Sequence, residues 1–282
     1  IIAVDVAKQN LQVQIKNMSF EIPNDEEGFT ELKKHLKKLK DPWVVCEASG
    51  GYERALMRQL FAWDIKISVV NPALIRAFAK SEGIKAKSDP IDTKMITLFA
   101  KEKAERIRLS NPPEKDREEM IELLDRRTQL AASITKEKNR LEKKPQYIAH
   151  FIKKSIQCME EETKEIEERL DDLAKTNTQM KEDFERITQV KGVGSMTAWT
   201  IITYLPEIKN ISRNQLVSLA GLAPFDSDTG NHKGRRFIDG GRAKVRRCLF
   251  NAARCAAQHN DVIKAYVNAL VSRGKPYKCA IV

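Results

Sequence analysis

Between Ile152 and Ile187 one rhythm governs the chain: Ile152, Ile156, Met159, Thr163, Ile166, Leu170, Leu173, Asn177, Met180, Phe184 and Ile187 follow a four-three spacing. That is the period of a coiled-coil seam, and the positions between are loaded with Glu and Lys. A long helix follows from it, which no sheet-only fold accommodates. Thr163 and Asn177 are polar seam positions; a lone Asn there either sets register at some cost in stability or marks a place where the coil frays. Upstream, residues 114–144 read as a second long charged helix, bounded by Pro112-Pro113 and interrupted by Pro145. The two are expected to form an intramolecular hairpin that also helps assembly.

What precedes the helices has another period. Residues 1–6, 43–47 and 65–70 are short apolar runs, and Leu11-Gln-Val-Gln-Ile15 alternates as a half-buried strand does. Residues 19–22 complete a meander. Helical spacing marks 29–39, 52–63 and a stretch from Pro72 to about Lys80, with Asp41-Pro42, Gly50-Gly51 and Asn71-Pro72 as punctuation. This order predicts a mixed sheet flanked by helices. The expected division is 1–110, 111–189 and 190–282.

Four acids stand out in the first part. Asp5 ends the first strand and Glu47 the fourth, where open α/β sheets place ligand sites. Asp89 and Asp92 lie in Lys85-Ala-Lys-Ser-Asp-Pro-Ile-Asp-Thr-Lys94, with Pro90 suited to a helix's first turn. Three residues apart, their carboxylates share a helix face. Such a pair is either a capping arrangement favoured by the helix dipole or half of a metal site. With Asp5 and Glu47 it makes a set that two-metal phosphoryl transfer requires: hard cations take carboxylate oxygens, and two of them about 3.5–4 Å apart clamp attacking and leaving oxygens.

The formal charge of +11 is concentrated. Residues 190–282 hold 15 Lys and Arg against 5 Asp and Glu, which points to a polyanionic partner. Lys233, Arg235, Arg236, Arg242, Lys244, Arg246, Arg247 and Arg254 face a single acid, Asp239, around Gly-rich turns, a phosphate-gripping composition. Residues 187–205 look like a helix-hairpin-helix element in which Lys191, Gly192 and Gly194 offer backbone N–H groups to a phosphate; a Gly-capped helix turn is the equal alternative. Ser227 and Thr229 are hydroxyls near the basic cluster, and most such turn hydroxyls only bond the backbone. The five cysteines are scattered, with no CxxC or zinc spacing, which fits a reduced, cytoplasmic setting. No run of about eighteen apolar residues occurs, so no membrane partner is expected. The chain enters a strand at once, without a signal peptide, and its first residue, Ile, is expected of a trimmed version of a longer chain.

In these motifs the chain resembles the DEDD transposases of the Piv/MooV type, the one-hundred-ten insertion-sequence family of bridge-RNA-guided recombinases. Val-Cys-Glu-Ala-Ser-Gly-Gly and Lys-Ser-Asp-Pro-Ile-Asp-Thr carry the likeness in the first part, and Gly-Leu-Ala-Pro…Gly-Gly-Arg…Val-Arg in the last. The resemblance implies an α/β RuvC-like (RNase H-like) domain, then a coiled coil, then a mostly α-helical transposase domain. It puts the four acids on Asp5, Glu47, Asp89 and Asp92, binding Mg2+ or Mn2+. It implies a hydroxyl nucleophile that becomes linked to DNA, a guide RNA pairing with element-end and target DNA, and a homodimer or tetramer. The family's nucleophile is a Ser in an Asp-Ser-Gly-like turn. Here that position is Asp228-Thr229-Gly230, so Thr229 is expected, with Ser227 its rival. The chain is also expected to stop before the family's last helical stretch ends. A RuvC-like nuclease that uses water is the alternative; a binding protein with a decayed site fits less well, because all four acids are present.

Overall fold

The computed structural model describes residues 1–83, 89–112, 114–142, 144–226, 234 and 236–282, with residues 89–91 described by their backbone alone. It divides into two compact units, Ile1–Pro113 and Glu114–Val282.

The first unit is built on a five-stranded sheet. Strands β1 (Ile2–Val6), β2 (Asn10–Ile15) and β3 (Met18–Pro23) form an antiparallel meander, and β4 (Trp43–Glu47) and β5 (Lys66–Val70) add parallel strands beside β1, giving the order β3-β2-β1-β4-β5. Parallel strands need crossovers, and helices α1 (Glu26–Leu36) and α2 (Glu53–Ala62) supply them. Alternate residues of the strands go to opposite faces. Ile2, Val4, Val44, Cys46 and Ile67 pack under α1 and α2 through Phe29, Leu32, Leu36, Leu56 and Leu60. Ala3, Val45 and Val70 pack on the other face against α3 (Pro72–Ser81) and α4 (Asp89–Glu102). Helix α1 is capped by Asp25, whose carboxylate accepts from the N–H groups of Glu27 and Gly28. Asn71 caps α3 in the same way, with Pro72 in its first turn. After α4 and a short 3-10 turn the chain returns along β5, where Ser110 donates to the Ile67 carbonyl at 2.8 Å.

The second unit is nearly all helix. Helices α5 (Lys115–Leu141) and α6 (Gln146–Thr176) run antiparallel, laced by Arg126–Glu162, Arg127–Glu167, Lys138–Glu160 and Arg169–Glu119. Their seam buries Met120, Leu124, Leu130, Ile166, Leu170 and Leu173. The four-three seam is not one helix, however. Asn177 is extended (φ −99°, ψ 118°) and accepts from the N–H groups of Gln179 and Met180 as cap of α7 (Thr178–Thr188). A side chain that competes with helical hydrogen bonding ends α6 there. Helix α8 (Ser195–Tyr204) is buried from Thr197 to Thr203, and its Trp199 and Ile202 join the core of the hairpin. Helix α9 (Arg213–Leu219), a short hairpin of β6 (Pro224–Phe225) and β7 (Phe237–Ile238), α10 (Ala243–His259), α11 (Asp261–Ser272) and α12 (Tyr277–Ile281) complete the unit. Among the described residues no helix is long and apolar enough to cross a membrane.

Candidate active site

In the parallel register of β1 and β4, Val4 stands beside Cys46. The next step along both strands brings Asp5 beside Glu47. By alternation both acids lie on the sheet face of Ala3 and Val45, the face that α4 covers. Asp92 belongs to the stripe of α4 that includes Met95, Ile96 and Phe99, which bury against that face. The helix's direction follows from its far end. Leu98 and Lys101 line a depression with Lys16 and Asn17, at the end of the sheet where β1 begins. The first turn of α4 therefore lies toward the other end, where Asp5 and Glu47 stand. Asp89 opens that turn; its side chain lies outside the described residues.

Three elements, β1, β4 and α4, thus direct acids to one end of one sheet face. The described carboxylates do not go further: among the described residues no three His, Cys, Asp or Glu side chains are grouped closely enough to hold a metal ion. The donor chemistry nonetheless suits a hard divalent cation, because the acids on this face supply only oxygen. Cys46 points the other way, into the core under α1 and α2. Burial above all, then the negative charges of Glu53, Glu47 and Asp5, push its thiol up to about 12.

Glu53 was not anticipated from the sequence. One oxygen of its carboxylate accepts from the Ser49 N–H (3.0 Å), the Ser49 hydroxyl (2.6 Å) and the Gly51 N–H (2.9 Å). Burial raises its pKa, but the Ser49 hydroxyl and the backbone N–H groups outweigh burial and leave the carboxyl below its ordinary value. Glu53 thereby orders the turn that follows Glu47. The signal was available: an acid in a helix's first turn, a few residues after a Ser in a Gly-rich turn.

The basic surface of the second unit differs from its composition. Arg242 does not face Asp239 alone; it clamps Glu207 with two bonds, at 2.5 and 3.0 Å, and donates to the Tyr204 carbonyl at 2.7 Å. The Arg242 bond, more than its burial, holds the Glu207 carboxyl below its ordinary range. Lys244 pairs with Asp125, donates to the Tyr204 hydroxyl at 2.9 Å and sits over that ring. Arg236 pairs with Asp226 at 2.5 Å, and Arg246 donates to the Gly240 carbonyl. Arg247, Lys244, Thr200 and Asn251 line a cleft of about 250 Å3 between α5, α8 and α10. Asp239 accepts from the Gly240 N–H at 2.7 Å. Ser227, Thr229, Lys233 and Arg235 lie outside the described residues.

Glycines close this region. Gly221 and Gly241 have φ of 69° and 64°, and a Cβ on Gly241 would sit 2.4 Å from the Gly221 Cα. Neither position admits a side chain. Gly192 (φ 99°) is equally constrained: its Cβ would lie 2.5 Å from the Ala256 Cα of α10. Gly194, which precedes α8, has open space around it, and Lys191 is exposed beside it.

Two family models cover these regions. A DEDD transposase model of the IS110 type, described as "Transposase", matches residues 2–144, and one described as "Transposase IS116/IS110/IS902 family" matches residues 184–268. The chain belongs to the IS110 family of transposases. Over its full length this transposase is 25% identical to the pilin gene-inverting proteins of Moraxella lacunata and Moraxella bovis, covering 90% of each. It is a DNA recombinase/transposase enzyme. A divalent metal requirement and a DNA substrate go with the family.

Proposed function

We propose that this IS110 transposase cuts and rejoins DNA strands, with the acids of residues 1–110 holding the metal ions and a hydroxyl of residues 190–282 serving as nucleophile. The adjacency of Asp5 and Glu47 at one end of a parallel strand pair, under the first turn of α4, carries this reading. Asp5, Glu47, Asp89 and Asp92 would hold Mg2+ or Mn2+. When bound, such ions neutralise charge on the scissile phosphate and favour an in-line displacement.

The chain's own part is nucleophile and grip. The Thr229 hydroxyl loses its proton as its oxygen bonds the phosphorus, and the departing deoxyribose oxygen gains one. The protein–DNA phosphodiester keeps the bond energy for rejoining to a second strand. Ser227 is the alternative nucleophile. The full-length likeness to pilin gene-inverting proteins supports strand exchange over hydrolysis. The open space around Gly194 supports a phosphate contact at the start of α8, in a helix-hairpin-helix turn. Lys191, Lys233, Arg235, Arg246 and Arg247 would hold further backbone. Sequence choice would come from a guide RNA, as in other RNA-guided systems, and the coiled-coil hairpin of α5 and α6 would also help bring two or four copies together.

Covalent trapping tests this. Protein, guide RNA, Mg2+ and element-end DNA are run under denaturing conditions, and any adduct is mapped to a peptide. An adduct at Thr229 that is lost in Thr229→Ala and Asp89→Ala is expected. An adduct at Ser227 moves the nucleophile. Cleavage without adduct, unchanged in Thr229→Ala and Ser227→Ala, overturns the mechanism in favour of a water-using nuclease.

A further inference from the structure

A second charged feature of the first unit lies away from the acids. Between the β2–β3 turn and the outer face of α4 is a depression of about 440 Å3, lined by Gln14, Lys16, Asn17, Lys94 and Thr97, together with Lys101. None of its lining residues is acidic. Some other surface lysines of the described chain stand beside carboxylates, as Lys66 does by Asp41 and Lys138 by Glu160 at 2.8 Å, and Lys209 by Asp183 at 2.7 Å. Here three exposed lysines from two elements converge without one.

The wall is polar as well. Gln14 is 6% exposed; its amide nitrogen donates to the Lys16 carbonyl at 2.7 Å, while its carbonyl oxygen has no hydrogen-bond partner among the described residues. A buried acceptor without a donor is costly, so a water or other donor is called for there, while a phosphodiester, which only accepts, is left to the lysines. Lys94 and Lys101 are seven residues apart on one helix face, so about 10 Å separates them along the axis. Along a duplex axis that equals the rise of roughly three base steps. The spacing suits a polymer better than a single anion.

We propose that this depression is a phosphodiester-binding site in which Lys16, Lys94 and Lys101 hold a stretch of nucleic-acid backbone at the end of the sheet opposite Asp5 and Glu47. It is a second contact, independent of the metal site and of the identity of the nucleophile. The backbone can belong to DNA or to RNA; the lysines serve both, and the experiment separates them.

The test is a salt titration of binding by the full chain, in EDTA so that no cleavage intervenes, with one DNA duplex and one RNA duplex. The triple variant Lys16→Gln, Lys94→Gln, Lys101→Gln is compared with Lys34→Gln, Lys37→Gln, Lys40→Gln, which removes equal charge from the exposed surface of α1 and the turn after it. Each lost phosphate contact lowers the log–log salt slope by about 0.9 on DNA. The first triple is expected to lower the slope by roughly two to three for at least one duplex, against less than one for the control. Lys→Arg at the same three positions should retain the slope, which separates loss of contact from loss of fold. A drop on DNA alone or RNA alone names the source. Equal drops in both Gln triples, or none in the first, overturn the proposal.

Discussion

Glu53 takes both the backbone N–H and the hydroxyl of Ser49 on a single carboxylate oxygen, at 3.0 and 2.6 Å. Those bonds favour the charged form, so the folded-state pKa lies below the ordinary 4.5. The contribution to stability is complete above 4.5 and is lost as pH falls through the lower folded value. Glu53→Ala is expected to cost about 1–3 kcal/mol at neutral pH. The gap between the variant and the wild type should close on acidification, as read by urea unfolding across the acidic range. A gap that persists at low pH would mean that packing, and not the carboxylate, matters there.

Gly192 and Gly194 look alike in the sequence and differ in the fold. A methyl on Gly192 meets the backbone of α10 at 2.5 Å, at a φ that L residues avoid. One on Gly194 meets nothing within 4 Å. Gly192→Ala should therefore destabilise by more than about 2 kcal/mol, and Gly194→Ala by less than about 1. Thermal unfolding distinguishes them directly. The N–H groups at the start of α8 remain in place in Gly194→Ala, so a loss of DNA affinity in that folded variant would come from crowding of a bound phosphate.

Among the cationic residues, Arg242 and Arg247 are expected to separate into two kinds. Arg242 is held in a two-bond pair with Glu207 and by the Tyr204 carbonyl, so Arg242→Ala and Glu207→Gln should each lower stability. The pair is partly exposed and screened, so we expect about 1 kcal/mol. Arg247, on the wall of the cleft between α5, α8 and α10, should tolerate Ala with little change in melting temperature. Its loss should show instead as a salt slope for DNA lower by about one. Equal stability losses at both positions would sink the distinction.

The sheet was legible because its strands are short apolar or alternating runs set off by Gly, Pro and Asn punctuation; β1, β2, β4 and β5 fall where those runs put them. The acids at Asp5 and Glu47 were legible for the same reason, as charges at the ends of apolar strands. Other features could not be read from local pattern. Asn177 fits a seam position and a helix cap equally well in one dimension, and the cap won. The partners of the basic residues lie far off in sequence, Glu207 35 residues from Arg242 and Asp125 119 from Lys244. A charge count over one segment therefore overstated how many cations are unmatched. Helices α9 and α12 and the β6–β7 hairpin are short, and packing rather than a repeating pattern defines them.

Cys46 allows one more prediction about the acidic end of the sheet. Burial is the first cause of its raised pKa, and the charges of Glu53, Glu47 and Asp5 come after. A thiol at about 12 is almost wholly protonated at neutral pH, and a buried one is shielded from reagents as well. Native protein treated with iodoacetamide should be labelled at Cys158, Cys255 and Cys279, which are exposed, and not at Cys46. Glu47→Gln removes one charge and leaves the burial, so Cys46 should still be unlabelled, by mass spectrometry of the digested protein. Rapid labelling of Cys46 in that variant alone would mean that Glu47 also holds the strand ends together, and that the end of β4 opens without it.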